Sequence, residues 1–257
     1  MLSLHTERLF RDFMVEVMEG ELTSEKLRQT LCGGNPEFSP YSAFMRIDRT
    51  AEEFINGGNV LAFLRDNHVV QFTHSDCQKL INFYSSDQSG FLNYQDFMQI
   101  VLPCEDQELR IETSNRQFFR ISRHETLPVH MELALVNLLQ QELLVFKMLE
   151  RLTFDLERRP DFTALALFRC IDRGNHGSID EVNLAQFFKN NGLFFQEREL
   201  AALIRRVDTS GDQTISYEEL NDFLKVQVTY RSDPTVIAMH KATPNARSGM
   251  HSGLVHA

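Results

Sequence analysis

Oxygen-bearing side chains alternate with other residues between Asp208 and Glu219, and their spacing points to a cation. Asp208, Ser210 and Asp212 stand at positions one, three and five of a twelve-residue stretch. Thr214 can offer its backbone carbonyl at seven, Ser216 its hydroxyl or a held water at nine, and Glu219 both carboxylate oxygens at twelve. Calcium is a hard ion that takes six to eight oxygens, and carboxylates are needed to displace its water shell. One position departs from this chemistry. The sharp turn at position six favours glycine, and Gln213 stands there, at a cost of about 1 kcal/mol for a left-handed backbone. The spacing predicts one calcium site of reduced affinity.

Three other stretches carry poorer sets. Ser85 to Asp96 keeps the turn residue Gly90 and offers Ser85, Asp87, Ser89, Asn93 and Asp96. Its first position lacks a carboxylate, and Asp96 is too short to close the set from both oxygens, so the site is weak or vestigial. Asp172 to Asn183 has Gly174 at three, His176 at five and Asn183 at twelve. Asp48 to Asn59 ends in an asparagine too, with Glu53 at six. Both are expected to serve as structural partners of their neighbours. His68, His74, His124, His130 and His176 have no ligand-like spacing, and no nucleophile motif or phosphate-binding glycine loop occurs. No catalytic constellation is expected.

The stretches belong to a duplication. Phe38, Phe44, Ile47, Asp48, Ile55, Asn59, Phe63 and Asn67 recur as Phe162, Phe168, Ile171, Asp172, Ile179, Asn183, Phe187 and Asn191, always at 172 − 48 = 124. Leu80, Ile81 and Tyr94 recur one residue out of step as Leu203, Ile204 and Tyr217 (217 − 94 = 123). Each half reads as helix, twelve-residue loop, helix, twice over, with apolar residues at helical spacing such as Phe38, Tyr41, Phe44 and Ile47. Ile55, Leu92, Ile179 and Ile215 take position eight of the four loops, where a short antiparallel bridge to the partner loop is expected. A helical stripe precedes each half. One is Leu9, Phe10, Phe13, Met14, Val17 and Met18; the other is Leu135, Leu138, Val145, Leu149, Leu152 and Leu156, broken by Glu142. Each long helix is expected to pack on the half it precedes.

With these loops, the chain resembles the calmodulin-like EF-hand family over about residues 38–101 and 162–224. The resemblance implies an all-α fold of two EF-hand pairs, each preceded by a long amphipathic helix. The expected units are 1–103, a connector 104–126, 127–229 and a tail 230–257 of low periodicity. Pro160-Asp161-Phe162, Phe168 with Ile171-Asp172, and Asn183 with Phe187-Phe188 are similar to two-lobed EF-hand proteins of ciliates and flagellates, some of them axonemal. That likeness implies a structural role with a protein partner such as tubulin or another axonemal protein.

Composition limits the alternatives. With 36 acidic against 26 basic residues, the net charge of −10 argues against a phosphate-binding surface for nucleic acid. No apolar run is long enough to span a membrane. Cys32, Cys77, Cys104 and Cys170 are scattered without CxxC spacing, so free thiols in the cytoplasm are expected, with a cilium or flagellum as the finer location.

Overall fold

The computed structural model describes residues 2–122 and 125–228, and their secondary structure is almost wholly helical. The expected tail 230–257 lies outside the described residues. The helices in chain order are α1 (Leu4–Gly33), α2 (Pro40–Ile47), α3 (Gly57–Asp66), α4 (His74–Tyr84), α5 (Tyr94–Val101) and α6 (Gln107–Ser114). They continue with α7 (Val129–Glu157), α8 (Ala164–Ile171), α9 (Glu181–Asn190), α10 (Glu197–Val207) and α11 (Tyr217–Val228). Two short strands, β1 (Ser178–Ile179) and β2 (Ile215–Ser216), pair antiparallel, with Ile179 opposite Ile215. Ile55 and Leu92 make the corresponding isolated bridge in the first half. All four position-eight residues therefore meet their partners, and each is at most 1% exposed.

Polar residues set the helix starts. Thr73 and Asp76 cap α4 reciprocally, and Ser3 accepts the Thr6 N–H at the start of α1. Pro40 occupies the first turn of α2, where its missing N–H costs nothing.

The long helices do not each keep to the half they precede. Phe10, Phe13, Met14, Val17 and Met18 of α1 pack into the core of the second half, with Phe168, Ile179, Phe187, Leu203 and Phe223. Phe10 lies 5.8 Å from Phe187 and Phe13 lies 6.1 Å from Phe223, centroid to centroid. Conversely, Met131, Leu135, Leu138, Leu139 and Leu143 of α7 join the core of the first half, with Phe44, Ile55, Phe63 and Leu80. Leu31 and Cys32 of α1, and Val145, Leu149, Leu152 and Leu156 of α7, do reach the half that follows them, so the C-terminal part of the α7 stripe packs as expected. At 30 and 29 residues these helices are about 45 Å long, so each apolar stripe spans both cores. A stripe shows that a face is buried, not which surface buries it.

The two long helices run antiparallel against each other. Gly20 of α1 faces Val145 of α7 so closely that an added Cβ would lie 2.8 Å from a valine methyl carbon. From the next residue of α1 to two turns further on, the helices enclose charges. Arg28 donates to Glu21 at 2.8 Å and to Glu142 at 3.1 Å, and Arg206 of α10 donates to Glu142 at 2.8 Å and to Glu21 at 3.3 Å. All four side chains are at most 3% exposed. Tyr84 of α4 donates to Glu142 at 3.0 Å and accepts from Arg206 at 2.8 Å, while the Arg206 guanidinium lies over the Phe83 ring. Burial opposes the charge on Glu142, but Arg206 and Arg28 outweigh it and hold its pKa down to about 2. Burial pushes the Tyr84 phenol up and keeps it a donor.

Removing one member leaves the others charged and buried. Arg206→Met should cost about 3–5 kcal/mol in urea unfolding, a loss under about 1 kcal/mol contradicting the paired geometry. Because Glu142 titrates lower folded than unfolded, its contribution is complete above about pH 4.5. It should fade as pH falls toward about 2, and a fluorescence-monitored acid titration of wild type and Glu142→Gln measures this. The variant's curve should be the flatter of the two in that window.

Candidate functional site

All four loops share one backbone geometry. Their fourth and sixth residues have positive φ: Ala51 and Glu53, Gln88 and Gly90, Asn175 and Gly177, Gly211 and Gln213. Gln213 takes the left-handed turn at φ 66°, as does Glu53 at 64°, so the lack of glycine does not alter the path. It adds strain of about 1 kcal/mol at each position.

Residue one of the loop anchors this turn wherever it is aspartate. Asp48 accepts the N–H groups of Glu52 and Glu53, and Asp172 those of His176 and Gly177. Asp208 accepts from Gly211 at 2.7 Å and from Gln213 at 2.8 Å. Ser85 cannot do this; its hydroxyl donates to Asp87 instead.

Residues nine and twelve form a reciprocal cap on the following helix in every loop: Asn56 with Asn59, Asn93 with Asp96, Asp180 with Asn183, and Ser216 with Glu219. The asparagines that end two loops thus have a structural use that the ligand pattern did not reveal. Side-chain length then separates the loops. Glu219 spends one oxygen on the Ser216 N–H and hydroxyl, both at 2.9 Å. Its other oxygen reaches across to the N–H groups of Thr209 and Ser210, also at 2.9 Å. Asp96 reaches only the Ser86 N–H, at 3.4 Å. Partial burial works against the Glu219 charge, yet the donors from Ser216, Ser210 and Thr209 prevail and bring its pKa to about 2.

Among the described residues, the carboxylates of Asp208–Glu219 are free of basic partners, as are those of Ser85–Asp96. Asp212 accepts only from Thr214, through its N–H and hydroxyl. The oxygens that could hold a cation are those of Asp208, Ser210, Asp212, Ser216 and Glu219 and the Thr214 carbonyl, on an open loop. The weaker set of Ser85, Asp87, Ser89, Asn93 and Asp96 is tied into its own turn, with Asp87 accepting from the Ser89 N–H at 2.9 Å.

A second acidic grouping has the opposite character. Glu21, Glu25 and Cys104 bring ligand atoms within 4.8 Å of one another. Arg28, Arg205 and Arg206 already pair with these carboxylates, and Glu25 also accepts the Cys104 and Glu105 N–H groups. Burial raises the Cys104 thiol, keeping it protonated. This neutralised cluster joins helices and suits a cation poorly. The spacing of charges along α1 gave no sign of it, because its other members come from α7, α10 and the turn after α5.

No family model matches the chain. It is 30% identical over 89 residues to a myosin regulatory light chain of Physarum polycephalum, a match that takes in 35% of this chain and 60% of that protein. The chain thus spans less than two thirds of the curated relative it matches.

The reach of Glu219 across its loop is directly testable. Shortening it in Glu219→Asp should keep the helix cap and lose the bonds to Thr209 and Ser210. Amide exchange at those two positions should speed up roughly five- to tenfold, as expected for about 1 kcal/mol per bond. Unchanged exchange would show that the cross-loop bonds do not hold the turn.

Proposed function

We propose that this chain is a non-enzymatic EF-hand adaptor that binds one calcium ion at Asp208–Glu219 and presents a pre-closed two-half scaffold to a protein partner. The observation that carries the reading is the loop's carboxylate set, free of basic partners among the described residues, on a backbone turn repeated in all four loops. Asp208, Ser210, Asp212, the Thr214 carbonyl, Ser216 and Glu219 would hold the ion. Ser85, Asp87, Ser89, Asn93 and Asp96 would bind only weakly. The sequence units 1–103, 104–126 and 127–229 then correspond to an EF-hand pair with its leading helix, a connector, and a second such pair.

A calcium sensor or regulatory subunit is the second reading, favoured by the likeness to a regulatory light chain. Arg206 speaks for the adaptor. It lies two residues before Asp208, at the end of α10, and is fixed in the buried charge cluster. A cation that swung α10 outward would have to expose that cluster to water. The partner is proposed as a protein; tubulin, an axoneme and a cilium rest on the family resemblance alone.

Calorimetric titration with calcium should show one site in the wild type and at least about tenfold weaker binding in Glu219→Gln. A hydrophobic dye added in parallel should brighten little. Strong brightening would favour the sensor, and no heat with millimolar calcium would remove the site assignment altogether.

A further inference from the structure

The two halves differ in what covers the first helix of each. In the first half, the non-helical residues 116–122 lie across α2. The Phe119 N–H donates to the Ser42 hydroxyl at 3.0 Å, which in turn donates to the Phe119 carbonyl at 2.9 Å. Phe118 stands edge-on to Tyr41 at 5.2 Å, and Arg116 donates to the carbonyls of Cys32 and Asn35. One turn along α2 from Ser42, Arg46 lies over the Phe63 ring and pairs with Glu132 of α7.

The second half repeats the platform. Asn67 donates to Glu132, and Asn191 donates to Glu7 at 3.2 Å (191 − 67 = 124). On α8, Leu165, Ala166 and Cys170 replace Tyr41, Ser42 and Arg46 (170 − 46 = 124). Leu165 is 41% exposed, and with Leu2, Leu4 and Arg169 these residues line a groove of about 750 Å³. Cys170, at the position of Arg46, lies in the lining of this groove. Glu7 is met by Asn191 and by Arg173 at 3.6 Å, whereas Arg169 is exposed and makes no ion pair among the described residues.

We propose that this groove binds an extended segment of a partner protein, with an aromatic or large aliphatic side chain over Leu165 and a carboxylate facing Arg169. The segment 116–122, seated on the equivalent face, shows the backbone form that the platform accepts. Charge selects the occupant. The chain's own residues 229–257 carry Arg231, Lys241 and Arg247 against only Asp233, which would set like charge against Arg169. The proposal does not depend on calcium binding.

The probe is a fluorescein-labelled peptide with the sequence of residues 115–122, changed by Arg116→Glu and Arg120→Glu, measured by anisotropy with the full chain. It should bind at least about tenfold more tightly than the same peptide with its arginines kept. Ala166→Phe should lose the binding, and Arg169→Glu, an exposed change that leaves the fold intact by circular dichroism, should reverse the preference. No binding at millimolar peptide, or indifference to both substitutions, would overturn the proposal. So would a tenfold gain on deleting residues 229–257, which would identify the tail as the occupant.

Discussion

Glu21, Arg28, Glu142 and Arg206 lie buried together where α1, α7 and α10 meet, and the rest of the structure has to accommodate them. Each ion brought out of water costs several kcal/mol, so none is tolerable without the others. Satisfying all four at once fixes the register of α1 against α7 and places α10 of the second half beside both. Tyr84 and Phe83 bring α4 of the first half to the same point. Phe83 and Arg206 occupy equivalent positions in the duplication (206 − 83 = 123), yet one supplies the ring over which the other's guanidinium lies. The halves have diverged toward each other, and symmetric copies could not make this contact.

This junction gives the long helices their crossed placement. The N-terminal turns of α1 and α7 enter the cores of opposite halves, and their C-terminal turns cross to the others. The loop proposed here to hold calcium, Asp208–Glu219, sits on a frame already closed by apolar burial and paired charge. Degenerate loops keep a use in such a frame. Asn59 and Asn183 complete the caps of α3 and α9 from their first turns, while Asp48 and Asp172 tie down the turns that precede those helices.

Much of the loop architecture was legible because it is local. The spacing of Asp208, Asp212 and Glu219, the 124-residue offset and the position-eight aliphatic residues each specify contacts within a few residues or between copies of one unit. Glu142 was visible as a break in the apolar stripe of α7, but its meaning was not. Its partners lie 114 residues upstream and 64 residues downstream, and no periodicity links them. The expectation that each long helix covers its own half failed for the stripe of α1 and for Leu135 and Leu138 of α7, for the same reason, and held for Val145, Leu149, Leu152 and Leu156. Phe10 and Phe13 announce a buried face, and only the three-dimensional complement selects Phe187 and Phe223 as its cover.

The central claim is that the charge junction and the crossed helices make the two halves one cooperative unit. The chain has no tryptophan, so single reporters can be placed cleanly at Phe118→Trp in the first half and Phe194→Trp in the second. Urea unfolding followed by each reporter should give coincident transitions, with the same midpoint and slope. Two separated midpoints, one for each half, would contradict the account.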